Sequence, residues 1–495
     1  MSIRRSMTYD MPMTLQQCCL DFICNNLDVL CQEIPLPRSV NVKRVFKNSD
    51  VFLADAISEE FLKTLCEKKK LNDETLSLFD HNFMNLKRVC IKDAKLSSAG
   101  LRILKAQKIV ELKVSGLENV TVNDVMCCLG KWTLSNLKTL HLSNLKLILS
   151  PKTFAFGSCL NTTDLAVNIS TLRRLQCLDV SHTEFNMSGL EIIAHELPCL
   201  EVLNISCTYV TDISPLRNCR DRLKCLSMYH LKIYADIVPV LAELTELVHL
   251  DVSYDSYSIT RPGINLDRFK FKVCDLLSRI HYLPNLTSLD ISGNEGLKES
   301  ILMEFLKYHS DIRFLGLALT QACRCTCFLG DTDAEFKADI TVTGGANERQ
   351  LLECLRRYAN RPNYIKYALS RLFTLTRVMT EPREDILKLI LLTMKQNTYH
   401  PGVQEAAISC IFNLLKSEEG PNVHPSCLKD IARNTLHAMT HFPRHEQVEN
   451  FANRKNLNDE TPIIPQLTAI VIMLYMLGKV VDCNPNSVPY DGPGS

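Results

Sequence analysis

The chain has 495 residues, of which 46% are apolar and 22% are charged, and its formal net charge is +1 at pH 7. A single hydrophobic core stops growing well below this length, so we expect several domains or a repeat array. The near-zero net charge excludes bulk electrostatic attraction as a reason to bind nucleic acid or an acidic membrane, and neither is an expected partner.

The cysteine content, 22 residues, is high. Adjacent thiols such as Cys127-Cys128 and isolated thiols in apolar runs do not match a small disulfide scaffold, so we interpret them as reduced core residues. No apolar segment follows the first basic residues of the chain, which predicts no secretory signal. These features indicate the cytoplasm or the nucleus.

The first predicted element is an amphipathic helix that begins at Thr14. Thr14 and Gln17 have the spacing of a capping box, and Leu15, Cys19 and Ile23 recur at every fourth position. Such a helix cannot bury its apolar face alone, so it packs either on the body of its own chain or in a groove of a partner.

This helix is predicted to reach about Cys31, and a linker at 38–50 follows it. A second amphipathic helix carries Ile57, Phe61 and Leu65 on one face. Periodicity alone leaves two readings open. The two helices either cap the first repeat of the array that follows or form a docking surface for another protein.

From residue 86 onward the phrase Leu-x-x-Leu-x-Leu returns nine times with aliphatic substitutions. Its copies begin at residues 86, 109, 137, 175, 200, 223, 247, 286 and 312. Most intervals are about 23 to 28 residues, which is typical of leucine-rich repeats with one strand and one helix or turn each. Stacked strands of this kind predict a parallel sheet and a horseshoe-shaped α/β solenoid.

Side chains between the apolar strand positions are predicted to project from the concave face of this solenoid. Among them are Asp179, Asn204, Asp251 and Asp290. An extended face of this kind is either a solvated surface or a protein-binding surface with few dominant residues. No alternation of acid, base and nucleophile on it predicts catalysis.

After residue 345 the apolar period becomes helical, which predicts a short all-α solenoid of armadillo or HEAT type. Asn347 and Gln350 have the spacing of a helix cap. Further helices are predicted at 364–379, 383–397, 403–415 and 426–442.

The C-terminal part of the sequence contains one apolar run and a polar tail. The run at 467–478 is shorter than the roughly twenty residues that a bilayer requires, which favours a buried terminal helix over a membrane tail anchor. Residues 482–495 are rich in Pro, Asn, Gly and Ser and are expected to be disordered.

The cluster Cys323-x-Cys325-x-Cys327 is the best metal candidate in the sequence. Structural zinc usually has thiol pairs spaced by two to four residues and needs a second pair, which is absent nearby. There is also no Walker loop and no GxGxxG, HExxH or GxSxG motif. We therefore expect no metal, no cofactor and no catalytic residues.

The order of these elements resembles the Zyg-eleven and Zer-one family, substrate receptors of Cullin-two RING E3 ubiquitin ligases. Members have a von Hippel-Lindau-type box, leucine-rich repeats and armadillo-like repeats, and local phrases at 86–95, 221–231, 283–293 and 403–414 also look similar. The chain then divides into a helical Elongin- and cullin-binding box and cap (13–80), leucine-rich repeats (81–328), armadillo-like repeats (346–481) and the tail (482–495).

The resemblance implies a non-catalytic adaptor that presents target proteins for ubiquitination and degradation. Thr14, Leu15, Cys19 and Ile23 match the Ser/Thr-Leu-x-x-x-Cys-x-x-x-aliphatic motif through which such boxes bind Elongin C, together with Elongin B. The alternative is a leucine-rich and armadillo scaffold for protein interactions that has no connection to ubiquitin transfer.

The resemblance also implies that the helix with Ile57, Phe61 and Leu65 binds Cullin-two. Family members usually carry a proline near the start of this segment. In this chain Ala54 stands at the best-aligned position.

A second departure from the family concerns the substrate. Family members bind N-terminal glycine through a Trp-Asn-Leu-Thr-Asp phrase and an Asn-Asn-x-x-Glu phrase in late armadillo repeats, whose acids can pair with the terminal ammonium. The single tryptophan here is Trp132, and the nearest echo, Phe412-Asn413-Leu414-Leu415-Lys416, has a cation in place of the acid. We predict that this chain does not bind N-terminal glycine by the family's route, and its substrate-binding residues stay unassigned.

Overall fold

The computed structural model describes residues 14–35, 42–48, 51–80, 84–145, 169–255, 272–294, 296–330, 339–415 and 423–442. These residues form two compact units. The first contains the described residues up to Val252 together with 272–286, and the second contains 253–255 and the described residues from Thr287 onward. The division falls inside the predicted leucine-rich array, whereas the predicted domain boundaries separate the chain by repeat type.

The first unit begins with two helices and a hairpin. They are α1 (Leu15–Asn25), α2 (Leu27–Leu30), β1 (Cys31–Pro35) and β2 (Val42–Phe46), with β1 and β2 antiparallel. The prediction of one helix to about Cys31 is wrong because the chain leaves the helical conformation at Asn26, whose side-chain amide donates to the carbonyl of Phe22 at 2.8 Å. Part of the predicted linker at 38–50 is the strand β2.

Arg44 fixes the hairpin to its surroundings. Its guanidinium binds Asp28 at 3.0 Å and Glu33 at 2.8 Å, and its backbone N–H donates to Ser77 Oγ at 2.8 Å. Arg44 falls within the predicted linker because β2 takes its strand conformation from pairing with β1 and not from an alternating pattern of its own.

The next helices are α3 (Asp55–Glu67) and α4 (Asp73–Leu76), and α3 covers the edge of the parallel sheet. Glu59 accepts hydrogen bonds from the backbone N–H of Arg88 at 3.0 Å and from its guanidinium at 2.7 Å. Arg88 begins the edge strand of the sheet and Lys92 ends it. At Lys92, Cys66 Sγ donates to the backbone carbonyl at 2.9 Å and accepts from the N–H at 3.1 Å. Because exposed strand edges invite pairing with other chains, α3 protects the first repeat.

Seven parallel strands of the first unit coincide with the first seven leucine-rich phrases. They are β3 (Arg88–Lys92), β4 (Glu111–Ser115), β5 (Thr139–His141), β6 (Cys177–Asp179), β7 (Val202–Asn204), β8 (Cys225–Ser227) and β9 (His249–Asp251). Each strand pairs with the next. The central leucines of β4 to β9 align across the sheet with Val89 of β3, and each of these side chains is at most 1% exposed. The helices between these strands are α5 (Ser98–Leu101), α6 (Val122–Cys127), α7 (Lys131–Asn136), α8 (Met187–Glu196) and α9 (Val238–Glu243), and α10 (Val273–Leu277) follows β9.

The second unit contains three more parallel strands. They are β10 (Ser288–Asp290), β11 (Phe314–Gly316) and β12 (Thr341–Thr343), and α11 (Glu299–Tyr308) lies between the first two. The eighth and ninth phrases form β10 and β11 as predicted. Strand β12 was not predicted, because Thr341-Val342-Thr343 follows the β-branched preference of strands but lacks the leucines of the repeat phrase.

Five longer helices complete the described part of the second unit. They are α12 (Glu348–Arg357), α13 (Pro362–Thr376), α14 (Glu384–Gln396), α15 (Pro401–Leu415) and α16 (Pro425–His441). Asn347 caps α12, since its Oδ1 accepts from the N–H of Gln350 at 2.9 Å. Helix α13 packs against α12 and α15, and α14 packs against α15 and α16. The predicted helix positions are confirmed to within a few residues.

Two predictions fall outside the described residues, namely the apolar run at 467–478 and the tail at 482–495. Among the helices of the described ranges, none combines the length and the hydropathy required to cross a bilayer.

Candidate functional site

Helix α1 exposes an apolar face. The spacing of Leu15, Cys19 and Phe22 by four and three residues places them on one side of the helix. Leu15 is 80% exposed and Phe22 is 62% exposed, Cys19 is also exposed, and Ile23 is half-buried at the margin of this face. We call Leu15, Cys19, Phe22 and Ile23 the α1 face.

The opposite side of α1 is held by its own chain. Leu20, Cys24 and Leu27 are at most 5% exposed, and α1 packs on α3. Lys68 Nζ lies 3.3 Å from Asp21 Oδ1, and Lys70 Nζ donates to the carbonyl of Cys24 at 2.9 Å. Burial raises the pKa of the Cys24 thiol to about 11, which keeps it a neutral core residue.

The α1 face is therefore a rigid surface rather than a flexible segment. Thr14 begins the helix, since its Oγ1 accepts from the N–H of Gln17 at 3.2 Å. Three of the sequence-predicted residues, Leu15, Cys19 and Ile23, come together on this face. Sequence reasoning missed Phe22, although its position seven residues after Leu15 is the signal that places it there.

Two of the three residues that the resemblance assigns to the cullin contact are buried in the structure. Phe61 and Leu65 have no exposed side-chain surface, and the Phe61 ring packs 6.4 Å from Phe46 and 5.5 Å from Phe79 between ring centroids. These two side chains fill the core below α3, so they do not present a surface to a partner in this conformation. Ile57 is half-buried.

An exposed aromatic residue lies just before α3. Phe52 is 66% exposed, and Ala54, at the position where the family usually has proline, is the N-terminal cap residue of α3 and makes no side-chain cap hydrogen bond. A large apolar side chain left in solvent beside the capping helix is a candidate contact residue.

The face of the strands in the first unit carries a Cys–His–Asp arrangement. Cys177 Sγ lies 3.5 Å from His141 Nε2, and His141 Nδ1 lies 3.6 Å from Asp179 Oδ2, which also accepts from Asn204 at 3.0 Å. Burial raises the pKa of the Cys177 thiol to about 11 and lowers the pKa of His141. Both shifts favour the uncharged forms of the thiol and the imidazole.

Two acids predicted to project from the concave face are buried. Asp251, in the first unit, is 3% exposed. Asp290, in the second unit, is 2% exposed and accepts a hydrogen bond from the Tyr358 hydroxyl at 2.9 Å, with Arg361 Nη1 at 3.5 Å. The hydroxyl of Tyr358 also lies 2.9 Å from Ser292 Oγ and from Thr343 Oγ1. This network fastens the end of α12 to the strand ends, because a buried carboxylate requires such partners.

Asn413, in the phrase that echoes the family's glycine-binding motif, has a structural partner. Its side chain is buried, and its amide donates to the carbonyl of Phe373 at 3.2 Å and to Thr376 Oγ1 at 3.3 Å on the neighbouring helix. Lys416 lies outside the described residues.

The three thiols of the Cys323-x-Cys325-x-Cys327 cluster are all buried. Within the part of the chain that the structure describes, no group of three or more His, Cys, Asp or Glu side chains is arranged to hold a metal ion.

A family model matches the middle of the chain. The model described as "Zer-1-like, Leucine-rich repeats" matches residues 191–312, a segment that contains β7, β8, β9 and β10.

Curated relatives extend the similarity over most of the chain. The human "Protein zer-1 homolog" is 24% identical over 458 residues, 83% of this chain and 56% of its own length. The Drosophila melanogaster "Protein zer-1 homolog" is 24% identical over 463 residues, 86% of this chain and 54% of its own length. The Caenorhabditis elegans "Zyg eleven-related protein 1" is 28% identical over 243 residues, 45% of this chain and 26% of its own length. The chain thus spans about half the length of the zer-1 homologs that it matches.

Solved structures give weaker similarity. An internalin from Listeria monocytogenes has a TM-score of 0.31 at 18% identity, covering 54% of this chain and 75% of that chain. The yeast Rad7 and Elc1 complex has a TM-score of 0.31 at 13% identity, covering 72% of this chain and 74% of that chain. Both TM-scores are too low to support a conclusion about fold or function.

Proposed function

We propose that this chain is a substrate-recognition adaptor of a Cullin-two RING E3 ubiquitin ligase. The similarity of its leucine-rich repeats to the Zer-1-like family model and of most of the chain to the zer-1 homologs supports this proposal. In this role the chain is non-catalytic. It binds Elongin C, and through it Elongin B, with the α1 face and presents target proteins bound elsewhere on the chain.

The exposure of the α1 face is the observation that supports this proposal most. A helix that served only as a cap would bury its whole apolar surface, but α1 buries Leu20 and Cys24 and leaves Leu15 and Phe22 in solvent. An apolar helix face of this kind binds in a hydrophobic groove of a partner through side chains spaced by three and four residues. In this proposal, α3 caps the first repeat and α1 is the docking helix.

Co-purification tests the Elongin contact. The full chain is expected to retain Elongin B and Elongin C, and Leu15→Asp with Cys19→Asp is expected to lose both, because a groove that accepts apolar side chains rejects carboxylates. Val378→Asp is the matched control, since Val378 is 79% exposed and lies in the second unit. Retention of both Elongins by the double variant would contradict the docking site.

The Cullin-two contact requires a change of residues. We assign it to Phe52 and Ile57, the apolar side chains near the start of α3 that have exposed surface. Phe52→Asp is expected to reduce Cullin-two in the co-purified complex while Elongin C stays at the wild-type level. Equal loss of both proteins would show that Phe52 belongs to the Elongin contact or to the fold.

The substrate of this adaptor is proposed to differ from the family's glycine degron. Asn413 uses its amide between α15 and α13, and the position that carries the acid in the family is a lysine in this sequence. A peptide with N-terminal glycine is expected to show no binding to the purified chain by fluorescence anisotropy. Micromolar affinity would contradict this part of the proposal and leave the Elongin contact untouched.

A further inference from the structure

Three sulfur atoms meet at one place in the second unit. Met303 lies on α11. Cys325 is the residue between two successive 3-10 turns, Gln321–Arg324 and Thr326–Phe328, and Cys327 lies in the second turn. Cys325 Sγ and Cys327 Sγ are 3.0 Å apart, and Met303 Sδ lies 3.9 Å from the first and 3.5 Å from the second.

The triangle of sulfurs has the dimensions of a metal site. From its three edges, the point equidistant from the three atoms lies about 2 Å from each of them, which is close to the ~2.3 Å of a metal–thiolate bond. Small outward rotations of the side chains are sufficient to admit an ion. The two cysteine sulfurs are not joined as a disulfide, since their separation of 3.0 Å exceeds an S–S bond length.

The type of ligand selects the type of ion. Two thiols and a thioether are soft donors, and such sets prefer Cu(I), whereas Mg²⁺ and Ca²⁺ prefer oxygen and structural Zn²⁺ takes four Cys or His ligands. The Glu299 carboxylate hydrogen-bonds to Cys325, but carboxylate oxygen is a hard donor, so the three sulfurs remain the ligands that a soft monovalent ion prefers.

The surroundings of the site match this chemistry. Cys325 is 5% exposed and Cys327 is 1% exposed, so bulk water is excluded from the thiols, while Met303 is half-buried. Burial, the largest influence on the Cys325 thiol, raises its pKa, so an ion that binds there must displace the proton of the thiol.

We propose that Met303, Cys325 and Cys327 form a binding site for one Cu(I) ion. On binding, the S–H bonds of the two cysteines break and both protons pass to solvent. The two thiolates and the thioether sulfur each donate an electron pair to the ion, and copper remains Cu(I) throughout.

Anaerobic competition with a chromophoric Cu(I) chelator tests the site on the reduced full chain. Wild-type protein is expected to remove one tightly held equivalent of Cu(I) from bicinchoninate, and Cys325→Ser with Cys327→Ser is expected to lose that equivalent. Cys18→Ser with Cys19→Ser is the matched control, because these adjacent thiols are exposed and their loss is expected to leave the tight equivalent in place.

Met303→Leu separates copper binding from folding. Leucine conserves the volume and apolar character of methionine, so thermal unfolding of the copper-free variant is expected to match that of the wild type while the chelator removes its copper more readily. X-ray absorption spectroscopy at the copper edge is expected to show three sulfur neighbours of copper in the wild type and two in this variant.

Several results would overturn the assignment. One is an unchanged number of tight equivalents in the variant without Cys325 and Cys327, which would place copper at other thiols. Another is equal copper retention by Met303→Leu and wild type. A third is a Cys325–Cys327 disulfide in the copper-free chain with no copper uptake, which would make the pair a redox couple instead.

Discussion

The two faces of α1 are expected to respond differently to the same change. Leu15 and Leu20 lie on one helix, five residues apart, but Leu15 is 80% exposed and Leu20 is 2% exposed. Truncation of each to alanine removes the same atoms and barely alters helix propensity. The pair therefore separates a residue that contacts a partner from a residue that holds the fold.

The expected magnitudes follow from burial. Leu20→Ala removes a core side chain and is expected to lower the free energy of unfolding by about 2–5 kcal/mol. Leu15→Ala removes a side chain that is largely in water, so its effect on stability is expected to stay within about 0.5 kcal/mol. If Leu15 anchors the contact with Elongin C, its truncation costs about 2 kcal/mol of binding free energy, roughly a thirtyfold increase in Kd.

Two assays on the purified chain measure these effects. Urea unfolding followed by circular dichroism gives the change in stability, and interferometry with immobilised Elongin B and Elongin C gives Kd. Leu15→Ala is expected to shift Kd and leave the unfolding midpoint unchanged. Leu20→Ala is expected to lower the unfolding midpoint.

Two results would refute the reasoning. Equal destabilisation by Leu15→Ala and Leu20→Ala would mean that both sides of α1 are buried in solution. Unchanged Kd for Leu15→Ala, with wild-type stability, would mean that the α1 face is not the surface that contacts Elongin C.

Three further predictions concern packing and pH. Tyr358→Phe leaves three buried oxygens without their shared hydroxyl and is expected to cost about 2 kcal/mol in urea unfolding, whereas a value near zero would mean that water replaces the hydroxyl. Gly293→Ala is expected to destabilise by more than about 1 kcal/mol, because φ is +73° and the added methyl meets a backbone carbonyl; Gly330→Ala, which has open space around it, is the control, and equal stability of the two variants would contradict the prediction. Burial lowers the pKa of His141, so protonation favours the unfolded chain and stability is lost as the pH falls below about 6.5; His141→Gln is expected to show a smaller loss between pH 7.5 and pH 5.5, and an equal loss would exclude His141 as a source.

The regular parts of the fold could be predicted from sequence because they depend on local patterns. When similar short strands stack side by side, the leucines of the repeat phrase can be buried only on the inner face of the sheet. Each of the nine predicted phrases therefore coincides with a strand. Helices α12 to α16 follow from caps, prolines and a helical period in the same way. Strand β12 was not predicted because Thr341-Val342-Thr343 forms a strand by pairing with β11, and its own sequence lacks the repeat phrase.

Properties that depend on contacts distant in sequence were decided by the tertiary structure alone. The sequence placed Leu15, Cys19 and Ile23 on one side of a helix, but only the packing of α1 on α3 shows that this side is exposed and that Leu20 and Cys24 are buried. The apolar residues of α3 have the same helical spacing as those of α1, yet Phe61 and Leu65 are buried in the core. Periodicity identifies an apolar face, and the neighbour against which that face packs is fixed by residues elsewhere in the chain.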